Sequence, residues 1–285
     1  RSQADYPAGM AYTYQNSPEV YKVVRTANGQ VERQYISSYD ELAALYRVDR
    51  LLAISASTNI PDVPIAATPP AVVGTLVSTV SALRDAVGKA VPGDTITRSD
   101  GTYNFSGTRI TTQRGGRQGA PITVRAQNEN GAIIETNGAE EAFHIQHPYY
   151  IFENLHVKVN GSGAYHAYKL DTDGHDVVIR GGKMEVYRGA EGGVKGSGAG
   201  AAPYPDKLLI ENTEIFFREP TNYSVAEGID GIGVKGWIIR SNVIHGVKKD
   251  SGVAWGILMK GNSQDTIVEN NLFYDNDVSI SIGGT

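Results

Sequence analysis

The chain has no cysteine, only two tryptophans and no apolar run of about 18 residues. The absence of cysteine excludes disulfide bonds, thiolate metal sites and cysteine nucleophiles. The absence of a long apolar run excludes a helix that spans a membrane. The net charge of −5 argues against nucleic acid as a partner. No signal peptide stands at Arg1, as expected for the mature form of a secreted protein.

One sequence pattern recurs through the second half of the chain: a short apolar strand, a charged or amide residue, a small residue or Asn, and a second apolar pair. Aligning its copies gives steps of 27, 31, 29 and 29 residues. A period of this size indicates stacked supersecondary units that bury their apolar faces against one another. The equivalent positions, predicted to form one interior column, are Phe152, Ile179, Ile210, Ile239 and Val268.

Each unit is built of strands, because it is rich in Ile, Val, Phe and Tyr and is bounded by Gly, Asn and Asp. A shorter strand lies between the aligned ones, and 33 glycines supply many turns. These features predict an all-β fold, a right-handed parallel β-helix (solenoid). The short strands are predicted at Ala142–Gln146, Ala167–Asp171, Gly193–Gly196, Gly228–Ile232 and Gly256–Lys260.

Asparagine follows the first apolar strand in most units. Asn tolerates the left-handed backbone of a tight corner, and stacked amides hydrogen-bond from turn to turn. We therefore predict a structural ladder of Asn154, Asn212, Asn242, Asn270 and Asn271.

Residues 1–57 do not share the repeat of the second half of the chain. They predict a small N-terminal α+β appendage. Asn28-Gly29 between β-rich arms predicts a hairpin over residues 21–35. A capping pattern at Ser38–Glu41 predicts a helix after it. The apolar face of that helix is predicted to carry Leu42, Leu45, Val48 and Leu52.

Residues 58–76 contain four prolines and predict an extended linker. Residues 77–285 are predicted to form the β-helix, opened by a capping helix. The apolar positions of this capping helix are Val80, Leu83, Val87 and Val91.

The capping helix leads into PGDTITRSDGTY at Pro92–Tyr103 and then APITVRA at Ala120–Ala126. This opening resembles that of the pectate lyase-like β-helical polysaccharide lyases of the chondroitinase B and alginate lyase type. The resemblance covers about residues 80–285. Its motif occurs in β-helix proteins of differing activity, so it is more specific for fold than for reaction.

The resemblance implies β-elimination of an acidic, uronate-containing polysaccharide. This reaction needs a cation for the uronate carboxylate, a base for the C5 proton and a route to protonate O4. In the resembled lyases a Lys base, an Arg and a Ca²⁺ held by Asn and Glu meet these needs. Lys260 stands where the family's Lys is expected and is the candidate base. The Glu pair before that Lys is replaced by residues 254–256, so Ca²⁺ is a candidate cofactor whose ligands are not identified.

The alternation of the short strands predicts a site independently of the family. The residues predicted to face the core are Phe143, Ile145, Leu170, Val194, Ile229 and Met259. Their neighbours then face solvent in one column that could line a groove for an acidic glycan, although an ordinary solvated sheet face has the same composition. The catalytic candidates are Lys260, Lys195 and Lys169, and the candidates for substrate binding are His144, Gln146, Asp171 and Asp230.

Three other functions are consistent with the sequence. A uronate C5-epimerase uses the same carbanion chemistry. A glycoside hydrolase needs two outward carboxylates at catalytic spacing, for which Asp171 and Asp230 are the candidate pair. A non-catalytic glycan-binding or surface-assembly β-helix needs neither base nor carboxylate pair.

Two further segments carry expectations. Residues 189–202 hold six glycines and predict a flexible insertion, either a substrate-covering loop or surface slack. No polar cap follows the last strand, Ser279–Gly283, and solenoid ends expose unpaired strand edges. We expect further sequence or a partner to cover that end, such as a second copy in an end-to-end homo-oligomer.

Overall fold

The computed structural model describes residues 11–14, 20–25, 31–35, 52–54, 74–171, 173–198 and 204–283. The chain divides into two compact units, residues 1–68 and 69–285. The described part of the first unit is a four-stranded sheet in the order β3-β2-β1-β4. Its strands are β1 (Ala11–Tyr14), β2 (Val20–Arg25), β3 (Val31–Tyr35) and β4 (Leu52–Ile54).

The predicted hairpin is confirmed, because β2 and β3 pair antiparallel from Tyr21 opposite Tyr35 to Arg25 opposite Val31. Its Asn28-Gly29 turn lies outside the described residues. The predicted helix is wrong at its end, because Leu52 begins β4, which pairs in parallel with β1. Strand pairing has overridden the helical spacing of that leucine. The earlier residues of that helix and most of the linker also lie outside the described ranges.

The second unit begins with β5 (Thr75–Val77) and the helix α1 (Val80–Lys89). Thr79 caps the helix, since its hydroxyl accepts a hydrogen bond from the amide of Ala82 at 3.1 Å. Leu83 and Val87 are buried as expected, whereas Val91 lies beyond the helix and is exposed. Strand β5 was not predicted from the sequence, and it pairs in parallel with the next strand of the chain.

The remaining strands follow one another three to a turn and stack into three parallel sheets, which confirms the predicted parallel β-helix. The first sheet contains β5, β6 (Thr95–Arg98), β9 (Ile122–Ala126), β12 (Tyr150–Glu153), β15 (Val178–Arg180), β18 (Leu209–Glu211), β21 (Ile238–Arg240) and β24 (Ile267–Glu269). The second contains β7 (Gly101–Asn104), β10 (Ala132–Glu135), β13 (His156–Val159), β16 (Lys183–Val186), β19 (Glu214–Phe217), β22 (Val243–His245) and β25 (Leu272–Tyr274). The third contains β8 (Ile110–Thr111), β11 (Glu141–Ile145), β14 (His166–Leu170), β17 (Gly192–Ser197), β20 (Glu227–Ile232), β23 (Trp255–Lys260) and β26 (Val278–Ile282).

The predicted interior column is confirmed by the register of the first sheet. Each aligned residue pairs with the next one, from Phe152 opposite Ile179 to Ile239 opposite Val268. The first four are buried, and Val268 in the last described turn is partly buried against them. Within the described residues the same column of side chains therefore runs through five successive turns.

The predicted asparagines fall into two groups rather than one ladder. Asn154, Asn212 and Asn270 have φ of 61°, 53° and 55° and form the corner after a strand of the first sheet. Asn242 and Asn271 lie one residue further along and form the amide ladder. Asn242 Nδ2 donates to Asn271 Oδ1 at 3.0 Å, and Asn242 Oδ1 accepts from the amide of Thr213 at 3.0 Å.

The glycine-rich segment contains β17, which confirms the short strand predicted at Gly193–Gly196. Residues 199–203, where the predicted insertion continues, lie outside the described ranges. A Cβ on Gly193 would lie 3.2 Å from Met184 Sδ, and one on Gly196 would lie 2.3 Å from the Trp237 ring. These glycines face the interior and leave room for neighbouring core side chains.

The outward face of the first sheet carries a column of alternating charge. In-register stacking places equivalent residues of successive turns side by side, so like charges at this position would repel. Arg180 Nη2 lies 2.9 Å from Glu153, and Arg240 Nη2 lies 2.8 Å from Glu211. The column consists of Arg125, Glu153, Arg180, Glu211, Arg240 and Glu269.

The alternation predicts a stability difference between two substitutions of Arg180. Arg180→Glu would place three glutamates side by side, whereas Arg180→Gln removes the cation without adding repulsion. We expect Arg180→Glu to lower the free energy of unfolding by about 1 kcal/mol more than Arg180→Gln, measured by denaturant titration. Equal stabilities of the two variants would show that the charge order does not matter for register.

No helix in the described part of the chain is long and apolar enough to cross a membrane.

Candidate active site

The outward face of the third sheet carries the predicted site residues. Its strands do not alternate strictly. In β20, Gly228 faces the core, since a Cβ there would lie 3.4 Å from Ile244 Cγ2, and the next residue, Ile229, is buried as well. We infer that this inward pair turns both Glu227 and Asp230 away from the interior.

Two columns of side chains follow from the register. One column contains Glu141, His166, Gly192, Glu227 and Trp255. The other contains His144, Lys169, Lys195, Asp230 and Leu258. The prediction placed Lys260 in line with Asp230, and this is wrong: Lys260 pairs with Ile232, two residues further along the strand. The inward residues are offset from the prediction by the same two positions. Met259 of β23 pairs with Gly231 of β20, whereas the prediction aligned it with Ile229.

Three carboxylates meet at the centre of this face. Glu191, Glu227 and Asp230 each offer an oxygen, and these oxygens lie within 4.8 Å of one another. Glu227 and Asp230 are each only 1% exposed. Among the described residues the partners of their carboxylate oxygens are lysine ammonium groups. A buried carboxylate is costly unless a cation compensates it, so this cluster requires positive charge nearby.

Lys195 supplies the first positive charge. Its Nζ donates to Glu191 Oε1 at 2.9 Å and lies 2.5 Å from Asp230 Oδ2. The second contact is an ion pair. Burial alone would lower the pKa of Lys195, but the carboxylates of Asp230 and Glu191 outweigh it and raise that pKa above its ordinary value. Lys195 is therefore a fixed cation at any physiological pH.

Lys260 supplies the second positive charge from the following turn. Its Nζ lies 3.3 Å from Asp230 Oδ2 and 3.7 Å from Glu227 Oε1, and its side chain is 21% exposed. Carboxylates, and not the other candidate lysines, are the groups paired with Lys260.

The carboxylates of the cluster differ in proton affinity. Burial raises the pKa of Glu227 to about 7, and the charge of Asp230 adds to this effect. Burial would also raise the pKa of Glu191, but hydrogen bonding and charge from His166 and Lys195 hold it at about 2. His166 Nε2 lies 3.3 Å from Glu191 Oε1. At neutral pH Glu191 is ionised, while Glu227 exchanges a proton readily.

The other predicted residues lie on earlier turns of the same face. His144 Nε2 lies 2.9 Å from Asp171 Oδ2, and Gln146 Nε2 donates to Asp171 Oδ1 at 3.3 Å. Lys169 lies in register between His144 and Lys195, and it makes no ion pair or hydrogen bond with the residues that the structure describes. It is thus available to an anionic ligand.

The structure does not bring the predicted hydrolase pair together. Asp171 contacts His144 and Gln146, whereas Asp230, two strands away, contacts the lysines of the cluster. The carboxylates that the described chain brings close together are Glu191, Glu227 and Asp230.

Sequence reasoning missed Glu191, Glu227 and His166. The short strands were predicted to begin at Gly228 and Ala167, one residue too late, so Glu227 and His166 fell outside them. Glu191 directly precedes β17. The sequence signal for these three residues was weak. Consecutive inward residues break the period-two alternation from which outward positions are inferred.

A cleft of about 440 Å³ adjoins the earlier turns, lined by residues that include Thr108, Arg109, Glu140 and Tyr165. Tyr165 precedes His166, and its ring centroid lies 5.7 Å from that of Tyr223. Burial and the charge of Glu191 raise the pKa of Tyr223, so this ring also borders the cluster. Aromatic rings and open volume beside a charged face are suited to binding sugar rings.

Calcium, the candidate cofactor implied by the resemblance, does not fit the cluster as it is arranged. Three carboxylates are suitable Ca²⁺ ligands. However, the ammonium groups of Lys195 and Lys260 already lie against the oxygens that an ion would need. An ion at the usual 2.3–2.6 Å from those oxygens would overlap an ammonium group. We therefore derive no step through a metal.

Comparisons with known proteins return structural likenesses only. No protein-family model matches the chain, and no curated protein matches its sequence. An alginate lyase from Paenibacillus sp. str. FPU-7 is 17% identical, with a TM-score of 0.41 over 74% of this chain and 99% of its own.

Two further solved structures are similar. A PL6 family polysaccharide lyase from Pseudopedobacter saltans is 15% identical, with a TM-score of 0.34 over 72% of this chain and 64% of its own. A mannuronic acid specific family 6 lyase from human gut microbiota is 19% identical, with a TM-score of 0.32 over 70% of this chain and 58% of its own. The likeness is one of fold, and at these values we take no residue role or reaction from it.

The raised pKa of Glu227 predicts how stability depends on pH. Between its ordinary value of 4.5 and about 7 the folded chain holds a proton that the unfolded chain has released. The free energy of unfolding therefore falls as pH rises through this interval. Relative to Glu227→Gln, the wild type should lose up to about 3 kcal/mol between pH 5 and pH 8, measured by denaturant unfolding at each pH. Glu219→Gln, at an exposed position, is the control, and parallel profiles for wild type and Glu227→Gln would contradict the assignment.

Proposed function

We propose that this protein is a secreted polysaccharide lyase that cleaves an acidic, uronate-containing chain by β-elimination on the outward face of the third sheet. The observation that carries the proposal is the gathering of Lys169, Lys195 and Lys260 on that face, backed by Glu227 with its pKa of about 7. A polymeric acidic glycan needs an open, cationic face, and it is encountered outside the cytoplasm.

The substrate would be bound by the lysines of the third sheet's outward face that can still accept a ligand. Lys169 is unpaired among the described residues and would bind a uronate carboxylate directly. Lys195 has three N–H groups, and one of them donates to Glu191. Lys195 would therefore add a second contact to the uronate carboxylate. Neutralising the carboxylate lowers the pKa of the C5 proton, which is the first requirement of the reaction. His144, Gln146 and Asp171 would bind the neighbouring sugar hydroxyls.

Proton abstraction is assigned to Lys260. Its Nζ must give up a proton before it can act, and the ionised carboxylate of Glu227 at 3.7 Å is placed to take that proton as the substrate binds. The neutral amine takes the C5 proton, the electron pair forms the C4=C5 double bond, and the C4–O4 bond breaks. The ammonium formed in this step then returns the proton to O4.

Incubation with a panel of uronate polymers tests the proposed reaction. Elimination leaves a conjugated double bond that absorbs in the ultraviolet, together with one new reducing end per cleavage. We expect both signals to rise in parallel on at least one polymer. New reducing ends without absorbance would indicate a hydrolase. A changed ratio of C5 epimers without cleavage would indicate an epimerase. Binding with none of these would indicate a glycan-binding β-helix.

The role of Lys260 is tested by two substitutions. Lys260→Ala should lower kcat by about a hundredfold or more with little change in KM, because a base contributes to the transition state and not to ground-state affinity. Lys260→Arg should not rescue activity, because a guanidinium keeps its charge but does not give up its proton. Lys207→Ala, at an exposed position, is the control. An active Lys260→Arg would make Lys260 a fixed cation and not the base.

A second candidate function is glycoside hydrolysis, favoured by the pair of Glu191 and Glu227. Their carboxyl oxygens lie within 4.8 Å, near the separation of about 5 Å used by retaining enzymes. Their pKa values of about 2 and about 7 suit a nucleophile and a general acid. The contact between Glu191 and Lys195 speaks against it, because an ion-paired carboxylate is a weaker nucleophile.

A further inference from the structure

We propose that the ammonium group of Lys195 is a built-in cation that stands in the place of a divalent metal ion, and that the cluster becomes a metal site only when Lys195 is removed.

The donor set is that of a site for a hard cation. Three carboxylates with oxygens within 4.8 Å of one another match the oxygen ligands that Ca²⁺ prefers. Glu227 and Asp230 are almost fully buried, and the groups that the described chain places against their oxygens are the ammonium groups of Lys195 and Lys260. Carboxylates buried in this way need a cation, because burial without one is costly.

Lys195 provides that charge from the fold itself. It pairs in register with Asp230 on the neighbouring strand and lies four residues after Glu191. Its Nζ is therefore held by two strands at 2.9 Å from one carboxylate and 2.5 Å from the other. A metal ion bound between the same oxygens would need the same space, so the two cations exclude each other.

Lys260 compensates part of the negative charge that Lys195 leaves on the carboxylate cluster. It lies against Glu227 and Asp230 on the side of the following turn. Two ammonium groups face three carboxylates, so one negative charge remains when all three carboxylates are ionised. A single proton on Glu227 removes that charge. The wild-type cluster thus has neither the space nor the charge deficit that would draw in a divalent ion.

Calcium binding measured by titration calorimetry, with Tb³⁺ luminescence as a second probe, tests the proposal on the full chain. The wild type should bind no Ca²⁺ at the cluster. Lys195→Met, which keeps much of the side-chain volume, should bind one Ca²⁺ per chain at least about a hundredfold more tightly than the wild type, because it vacates the oxygens and adds one unit of negative charge.

Two matched variants locate the site. Lys169→Met removes the neighbouring lysine of the same column, which contacts no carboxylate of the described residues, and should bind Ca²⁺ no better than the wild type. Glu191→Gln combined with Lys195→Met should lose the new affinity. A folded Lys195→Met that binds Ca²⁺ no better than the wild type would overturn the proposal. Calcium binding by the wild type that Glu191→Gln abolishes would overturn it as well.

The Ca²⁺ titration also tests the proposal if Lys195→Met does not fold on its own. If Lys195→Met is unfolded without metal, recovery of its circular dichroism on addition of Ca²⁺ supports the proposal. If neither Lys195→Met nor Lys195→Gln folds under any condition, the wild-type titration decides, and absence of cluster-specific Ca²⁺ binding there supports it. These outcomes do not depend on the proposed reaction, because binding is measured without a substrate.

Discussion

In-register stacking of successive turns is the constraint on which the rest of this structure depends. Parallel strands about 4.8 Å apart place each side chain beside its counterpart in the turns before and after it. Apolar positions therefore form continuous interior columns, such as the one from Phe152 to Val268. In the column from Arg125 to Glu269 the charges alternate in sign, which avoids repulsion between stacked like charges.

The candidate site follows from the same constraint. Lys195 stands beside Asp230 because they occupy one register position on adjacent turns. Asp230 is buried beneath Lys195 and Lys260, so it supports the site from below and does not meet solvent. A lysine that is structurally required by a buried carboxylate is also a fixed cation on an outward face. The ion pair that compensates Asp230 thus also holds a cation on the face where we propose that the substrate binds.

Lys260 and Lys195 differ in how firmly they are held, and this separates their proposed roles. Lys195 is fixed by two close carboxylates and keeps its proton. Lys260 has longer contacts and a neighbour, Glu227, that exchanges a proton near neutral pH. Lys169 makes no ion pair with the described residues. The three lysines of this face therefore range from a fixed cation to an unpaired one.

The sequence by itself determined the β-helix, its period and the outward lysines, because a repeat of near-constant length and alternating polarity are local properties of a chain. Only the tertiary structure decided which of those residues meet. Lys260 pairs with Ile232 and not with Asp230, and the inward pair at Gly228 and Ile229 turns Glu227 onto the face. Glu191 joined the cluster through the pairing of β17 with β20. Contacts between turns depend on where each strand begins relative to its neighbours, and that offset is set by the packing of the core against loops of unequal length.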